Sequence, residues 1–320
     1  MEPAASSTLE KALKRHSRPQ FPTVPPRALQ LPRSSLIQSS PSWIPPVPRP
    51  PAKARLASAV RSRRIARHVD WEDFTRLGAL TQAQCSQLIC QPKHGSPSLF
   101  MFKKLHTDTA FKHIFDMQHP CIVMAHHLIR SPDVQYVGFE YYRFTLEEVI
   151  SIHLSMQEAH LYPIAKAIFS ALQFLHEHGL VHGHVSTHSI RLCGRTGKVL
   201  LGDCEKSQSE SSDDHNIDLD QLGLSILKCM EAQPQSSRTA DEVRSERATN
   251  KVFGLSDAER WSDAKQLIDF LEDLFSLQRS RTLKLERPHD YINANIANDE
   301  ILLPLIELAS LECFTMWQTE

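Results

Sequence analysis

From about residue 70 onward, short apolar runs of strand length give way to longer stripes at helical spacing. DFTRLGAL, SQLICQP and SLFMFKKL read as three strands of one sheet with a turn at Lys93 to Pro97, and CIVMAHHLIR and VQYVGFEYY as two more. TLEEVISIHL then predicts a helix. In LYPIAKAIFSALQFLHEHG the residues Ile164, Ile168, Leu172 and Leu175 recur along one face, the signature of a helix with a core stripe. IRL and KVLL form a hairpin. A polar acidic loop, KSQSESSDDHN, leads into a third helix from Ile217 through LSILKCM. QPQSSRTADEVRSERATN, over 233 to 250, is polar throughout and predicts a loop. WSDAKQLIDFLEDLFS places Leu267, Phe270, Leu271 and Leu274 on one helical face, and EILLPLIELASLECF predicts a last helix interrupted by Pro304 and packed on the others. Strands first and helices afterwards predict an α+β fold.

Residues 1 to 69 follow neither period. They hold twelve of the twenty prolines and few large apolar residues, which predicts a disordered tail unable to offset its chain entropy by burial. The net charge of −1 conceals an asymmetry: between Glu10 and Asp70 there is no acidic residue but there are thirteen Lys and Arg, so the remainder is acidic. Within the tail, Pro48, Pro51 and Lys53 form a polyproline II pattern suited to a proline-binding adaptor, and a plain solvated linker is the alternative. The cluster Arg61, Arg63, Arg64 and Arg67 fits a nuclear import signal. It lacks the interleaved aromatics of a single-strand binder, so nucleic acid is not the expected partner. Seven scattered cysteines without a CxxC pair suggest reduced thiols. The absence of a long apolar run, and charges and prolines near the start, predict a soluble cytoplasmic or nuclear protein.

The stretch FLHEHGLVHGHVSTHSIRLCGRTGKVLLGDCE, Phe174 to Glu205, carries the candidate chemistry. It resembles the catalytic half of a protein kinase, in which a helix ends in His-Arg-Asp, four residues and Asn, and a hairpin then delivers Asp-Phe-Gly. Here the frame reads His182-Gly183-His184, then Ser189, then Asp203-Cys204-Glu205. Lys103, at the end of Phe100-Met101-Phe102-Lys103, takes the place of the strand lysine, and Glu140 and Tyr141 that of the adenine hinge. His119-Pro120, Asp218, Gly223 and Arg281 also fall in order. The resemblance implies a two-lobed kinase-like fold, with a small β-rich lobe over 70 to 141, a larger helical lobe over 142 to 292 and a helical extension over 293 to 320. It further implies structural roles for His182, Asp218 and Arg281, and nucleotide contacts at Lys103, Glu140, Tyr141 and Asp203, the last as the magnesium ligand.

The frame survives with much of its chemistry replaced. The base position holds His184, and Ser189 stands where the second magnesium ligand belongs. The phosphate loop, Thr81 to Ser86, has no glycine to let backbone amides approach a phosphate, and the helix position that should pair with Lys103 is Ala110. Only fourteen residues separate Asp203 from Asp218, too few for an activation segment. Arg281 thereby lacks its usual partner. His182, His184 and His188 have the imidazole density of a zinc site but no further ligand. Ser207, Ser209, Ser211 and Ser212 lie among acids and resemble a target of acidophilic kinases. The expectation is a catalytically impaired kinase-like domain, a pseudokinase, serving as a scaffold or allosteric binding module for protein partners and holding ATP and magnesium weakly or not at all. The alternative is a divergent working Ser/Thr kinase that uses Lys103 and Asp203.

Overall fold

The structure, a computed structural model, describes residues 67–82, 85–95, 97–105, 114–115, 117–130, 134–152, 156–209, 215–231, 238–249, 252–276, 289–294 and 299–316. All belong to the unit that spans Arg61–Glu320. Pro48, Pro51, Lys53, Arg61, Arg63, Arg64, Ala110, Ser211, Ser212 and Arg281 lie outside the described residues.

Six strands form one sheet: β1 (Arg67–His68), β2 (Phe74–Gln82), β3 (Cys85–Pro92), β4 (Phe100–Leu105), β5 (Ala125–Arg130) and β6 (Gln135–Glu140). Their order is β1-β5-β6-β4-β3-β2, antiparallel except where β1 runs parallel to β5. Arg67, counted with the basic tail on charge alone, is therefore a sheet residue opposite His127. Alternation along β4 and β6 sorts the side chains between two faces. Met101, Val137 and Phe139 pack with Ile114, Val123, Leu128 and Leu200 on one side. On the other, Phe102 meets Phe74 and Trp71, with ring centroids 5.0 and 5.3 Å away. Phe102 lies over Gly138, where a Cβ would come within 2.7 Å of its ring.

The rest is helical with short hairpins. β7 (Phe144–Thr145) leads into α1 (Leu146–Ser151), which Thr145 and Glu148 close with a reciprocal capping box. α2 (Glu158–Glu177) buries the predicted stripe and packs on β8 (Leu180–Val181) and β10 (Val199–Leu201), the latter paired with β9 (Ile190–Leu192). β11 (Gln208–Ser209) pairs with β8. α3 (His215–Met230) crosses α2 and meets α4 (Ala240–Thr249) and α5 (Lys265–Leu274). α6 (Asp290–Asn293) and α7 (Leu303–Met316) complete the described chain. One large core cluster unites these helices.

Two expectations need correction. Residues 240 to 249 are helix rather than loop. Their entry is a Thr239-x-x-Glu242 box, in which Thr239 N–H donates to Glu242 Oε2 at 2.7 Å, and Val243 is the helix's one fully buried anchor. Pro304 does not interrupt the last helix. It sits in the first turn of α7, where its missing N–H would have had no partner in any case.

Candidate functional site

Strand β4 carries Lys103, whose side chain shares a face with Met101 and is carried inward by that alternation. The hairpin β9-β10 brings the opposing acids. Its far end is fastened to the segment before β5 by two backbone bonds, Val123 N–H to Leu201 O at 2.9 Å and Leu201 N–H to Cys121 O at 2.8 Å. Asp203 then turns the chain in the left-handed region, φ 58°, which aspartate tolerates better than most residues. A single 3-10 turn, Cys204–Lys206, follows. Lys103 Nζ donates to Asp203 Oδ1 at 2.5 Å and to Glu205 Oε1 at 2.6 Å. The ammonium also lies 5.3 Å from the centre of the Phe139 ring.

All three charged groups are largely buried, with 10, 19 and 7% of the Lys103, Asp203 and Glu205 side chains exposed. Burial alone would raise the Asp203 carboxyl, but Lys103, helped by Lys206 and Arg191, outweighs it and holds that pKa at about 2. Burial alone would lower Lys103, and Glu205 and Asp203 together drive it above its ordinary value instead. The group is thus a fixed ion triad. Glu205 Oε2 is buried and has no hydrogen-bond partner.

Lys103, Asp203 and Glu140, three of the four residues expected to hold nucleotide, do line one space. That space has a volume of about 10 Å³, and Met101, Tyr142 and Arg191 also line it. Ligand cavities run to several hundred Å³. Tyr142 O–H donates to Glu140 Oε2 at 2.9 Å, and burial, then Glu140, pushes its pKa upward. The Tyr141 N–H is spent on Leu99 O at 3.1 Å. Larger cavities lie elsewhere: about 330 Å³ between the loop 185–188 and α3, and about 550 Å³ beside Lys166, Lys198 and Asp299.

The loop that follows β8 is held by Asp218, which is fully buried at the start of α3. Its Oδ2 accepts from His182 N–H at 2.9 Å and pairs with His176 Nε2 at 2.9 Å, while Oδ1 accepts from Gly183 N–H at 2.7 Å. Gln221 adds two bonds to the same loop, accepting from Val185 N–H at 2.7 Å and donating to Gly183 O at 2.9 Å. Burial tends to raise the Asp218 carboxyl, but these donors hold it below its ordinary range. His182 is fully buried with Nε2 on Gly202 O at 2.8 Å, and burial lowers its pKa. His182 Nδ1 accepts from His184 N–H, so both ring nitrogens are engaged and neither is open to a metal. Among the described residues there is no cluster of ligands suited to one.

His184 and His188 are exposed. Ser189 is buried, and its hydroxyl is absorbed by the loop, accepting from Ser186 N–H at 2.9 Å and donating to Ser186 O at 3.0 Å. The residues that sequence reasoning missed are Glu205, Gln221 and the lining residues Met101, Tyr142 and Arg191. Glu205 had one visible signal, a carboxylate in the family's glycine position directly after an apolar hairpin. A scan against protein-family models finds no match, and a search of curated proteins finds no relative.

Proposed function

We propose that this chain carries a two-lobed protein-kinase-like fold whose phosphoryl-transfer site is closed, and that it acts as a pseudokinase, a scaffold or allosteric binding module for protein partners. The sheet over 70 to 141 would be the small lobe and the helices over 142 to 292 the large one. The order of Lys103, His182, Asp203 and Asp218, and the bonds from Asp218 to the loop backbone, support that reading. One observation carries the functional half: Lys103 is held between Asp203 and Glu205 beside a space of about 10 Å³. Phosphoryl transfer depends almost wholly on positioning and charge neutralisation. Here the lysine is neutralised internally, the Ser189 hydroxyl is committed to its own loop, and the base position holds an exposed His184. Room for ligands lies away from Lys103, as a binding module would have it.

The divergent-kinase alternative keeps one observation in its favour, the Lys103 to Asp203 contact at 2.5 Å, which places a cationic and a metal-capable group side by side. A transfer assay with labelled ATP, magnesium and a generic protein substrate separates the two. The pseudokinase reading expects no incorporation above that of Lys103→Met. Incorporation abolished by both Lys103→Met and Asp203→Ala would establish the kinase instead.

A further inference from the structure

We propose that Glu205 is a built-in ligand of Lys103 which, together with Met101, keeps a polyphosphate site shut, and that removing the Glu205 charge and the Met101 arm uncovers a site for a nucleoside triphosphate. This rests on the kinase-like reading above and assigns the closure to two residues of this chain.

The two acids on Lys103 are not equivalent. Asp203 is fixed by its left-handed backbone and has further cations at hand, with Lys206 at 3.6 Å and Arg191 beside it. Glu205 spends one oxygen on Lys103 and buries the other without a partner. A buried carboxylate oxygen without a donor bears a desolvation cost that nothing returns. Glu205 is therefore the acid left with an unmet oxygen, and it occupies the lysine proton that an incoming oxyanion would use. With Glu205 neutral, Lys103, Arg191 and Lys206 outnumber the two carboxylates at this space, Asp203 and Glu140. That balance suits a polyphosphate.

The base would need the neighbouring room. Met101 stands two residues before Lys103 on the same face of β4, is 3% exposed, and with Tyr142 and Phe139 walls the small cavity. An unbranched thioether fills such gaps without bringing a hydrogen bond of its own, so alanine there opens apolar space and strands no polar group. The Ser189 hydroxyl is bonded within its loop, so the uncovered site lacks a second metal ligand and needs no magnesium.

The test is the melting temperature of the full chain as wild type, as Met101→Ala/Glu205→Gln and as that pair with Lys103→Met, each with millimolar ATP and with adenosine, with and without magnesium. Saturating ligand raises the melting temperature of a domain this size by several degrees. The wild type is expected to stay flat. The double variant should rise by several degrees in ATP, equally with or without magnesium and less in adenosine, and the added Lys103→Met should abolish most of the rise. A folded double variant that stays flat in ATP, or a wild type that rises as much, overturns the proposal. Should the double variant lack a cooperative transition, Glu205→Gln alone must still show a smaller rise in ATP, and a flat response overturns the proposal equally. Phosphate transfer by the wild type would sink the pseudokinase reading. A flat double variant would sink only the assignment of closure to Glu205 and Met101.

Discussion

Asp218 and Glu205 are both buried acids, and their surroundings complete one and not the other. Both Asp218 oxygens are saturated by His182 N–H, Gly183 N–H and His176, and the carboxylate ties α3 to the loop after β8. Glu205 has one oxygen on a lysine that already holds Asp203, and its second oxygen faces no donor. A fully satisfied buried carboxylate is framework, because every group it serves loses its partner when it goes. A half-satisfied one behaves as an occupant, and its neighbours keep a partner without it.

The largest effect should come from breaking the framework. Asp218→Ala strands the His182 and Gly183 backbone donors and removes the His176 contact, and is expected to cost about 3–5 kcal/mol, read as a lowered denaturation midpoint. Asp218→Asn keeps the shape and one acceptor and should recover part of that loss. Equal destabilisation by the two would mean that volume, not hydrogen bonding, anchors the loop.

Next in size is Lys103→Met, which leaves Asp203 and Glu205 facing each other. Because Lys206 and Arg191 still serve Asp203, roughly 2–3 kcal/mol is expected rather than the full penalty of an isolated buried charge. No loss of stability in that variant would show that the triad is not formed in solution.

Acid should separate the two regions by pH. His182 is held neutral by burial with its folded pKa below the ordinary 6.5, so its contribution is complete above that value and is lost as pH falls through the folded pKa. Asp203, at about 2 when folded against an ordinary 3.8, contributes above pH 3.8 and loses that contribution only as pH falls toward 2. Lys103 is raised above 10.5, so its contribution persists below that value and fades only in stronger base. Urea midpoints across pH should therefore hold level between about 6.5 and 9, above which burial keeps the Cys204 and Cys229 thiols from an ionisation open to the unfolded chain, and decline in two stages on the acid side. Lys103→Met should shrink the lower stage, to which Asp218 also contributes, and leave the upper one. A single decline unaffected by Lys103→Met would contradict the assignment.

The smallest effect belongs to the occupant. Glu205→Gln is expected to change stability by no more than about 1 kcal/mol, since Asp203 retains the lysine and an unpaired charged oxygen is replaced by a neutral amide. A loss as large as that of Asp218→Ala would place Glu205 in the framework and erase the distinction.

Sequence periodicity revealed much of this molecule and concealed the parts that depend on distant residues. The strands β2 to β6 and the helices α1, α2, α3 and α5 bury alternating or striped residues, so burial leaves its period in the chain. Asp218 was legible through the resemblance to the kinase frame, which implies an acid at that place bonded to the loop backbone. Helix α4 left no stripe, as Val243 alone is fully buried, and only its capping box gave notice. The parallel pairing of Arg67 and His68 with β5, and the packing of Trp71 on Phe102 and Tyr136, join segments far apart in the chain and have no local signature. Glu205 reaches Lys103 across 102 positions, and Met101, Tyr142 and Arg191 come to the cavity wall from three separate stretches of the chain.

The central claim is that the wild-type site admits no nucleotide. Isothermal titration of the wild-type chain with ATP and magnesium tests it without reference to any substrate. The closed triad and the small cavity predict no saturable heat at millimolar nucleotide. Saturable, magnesium-dependent binding that Asp203→Ala abolishes would contradict the account.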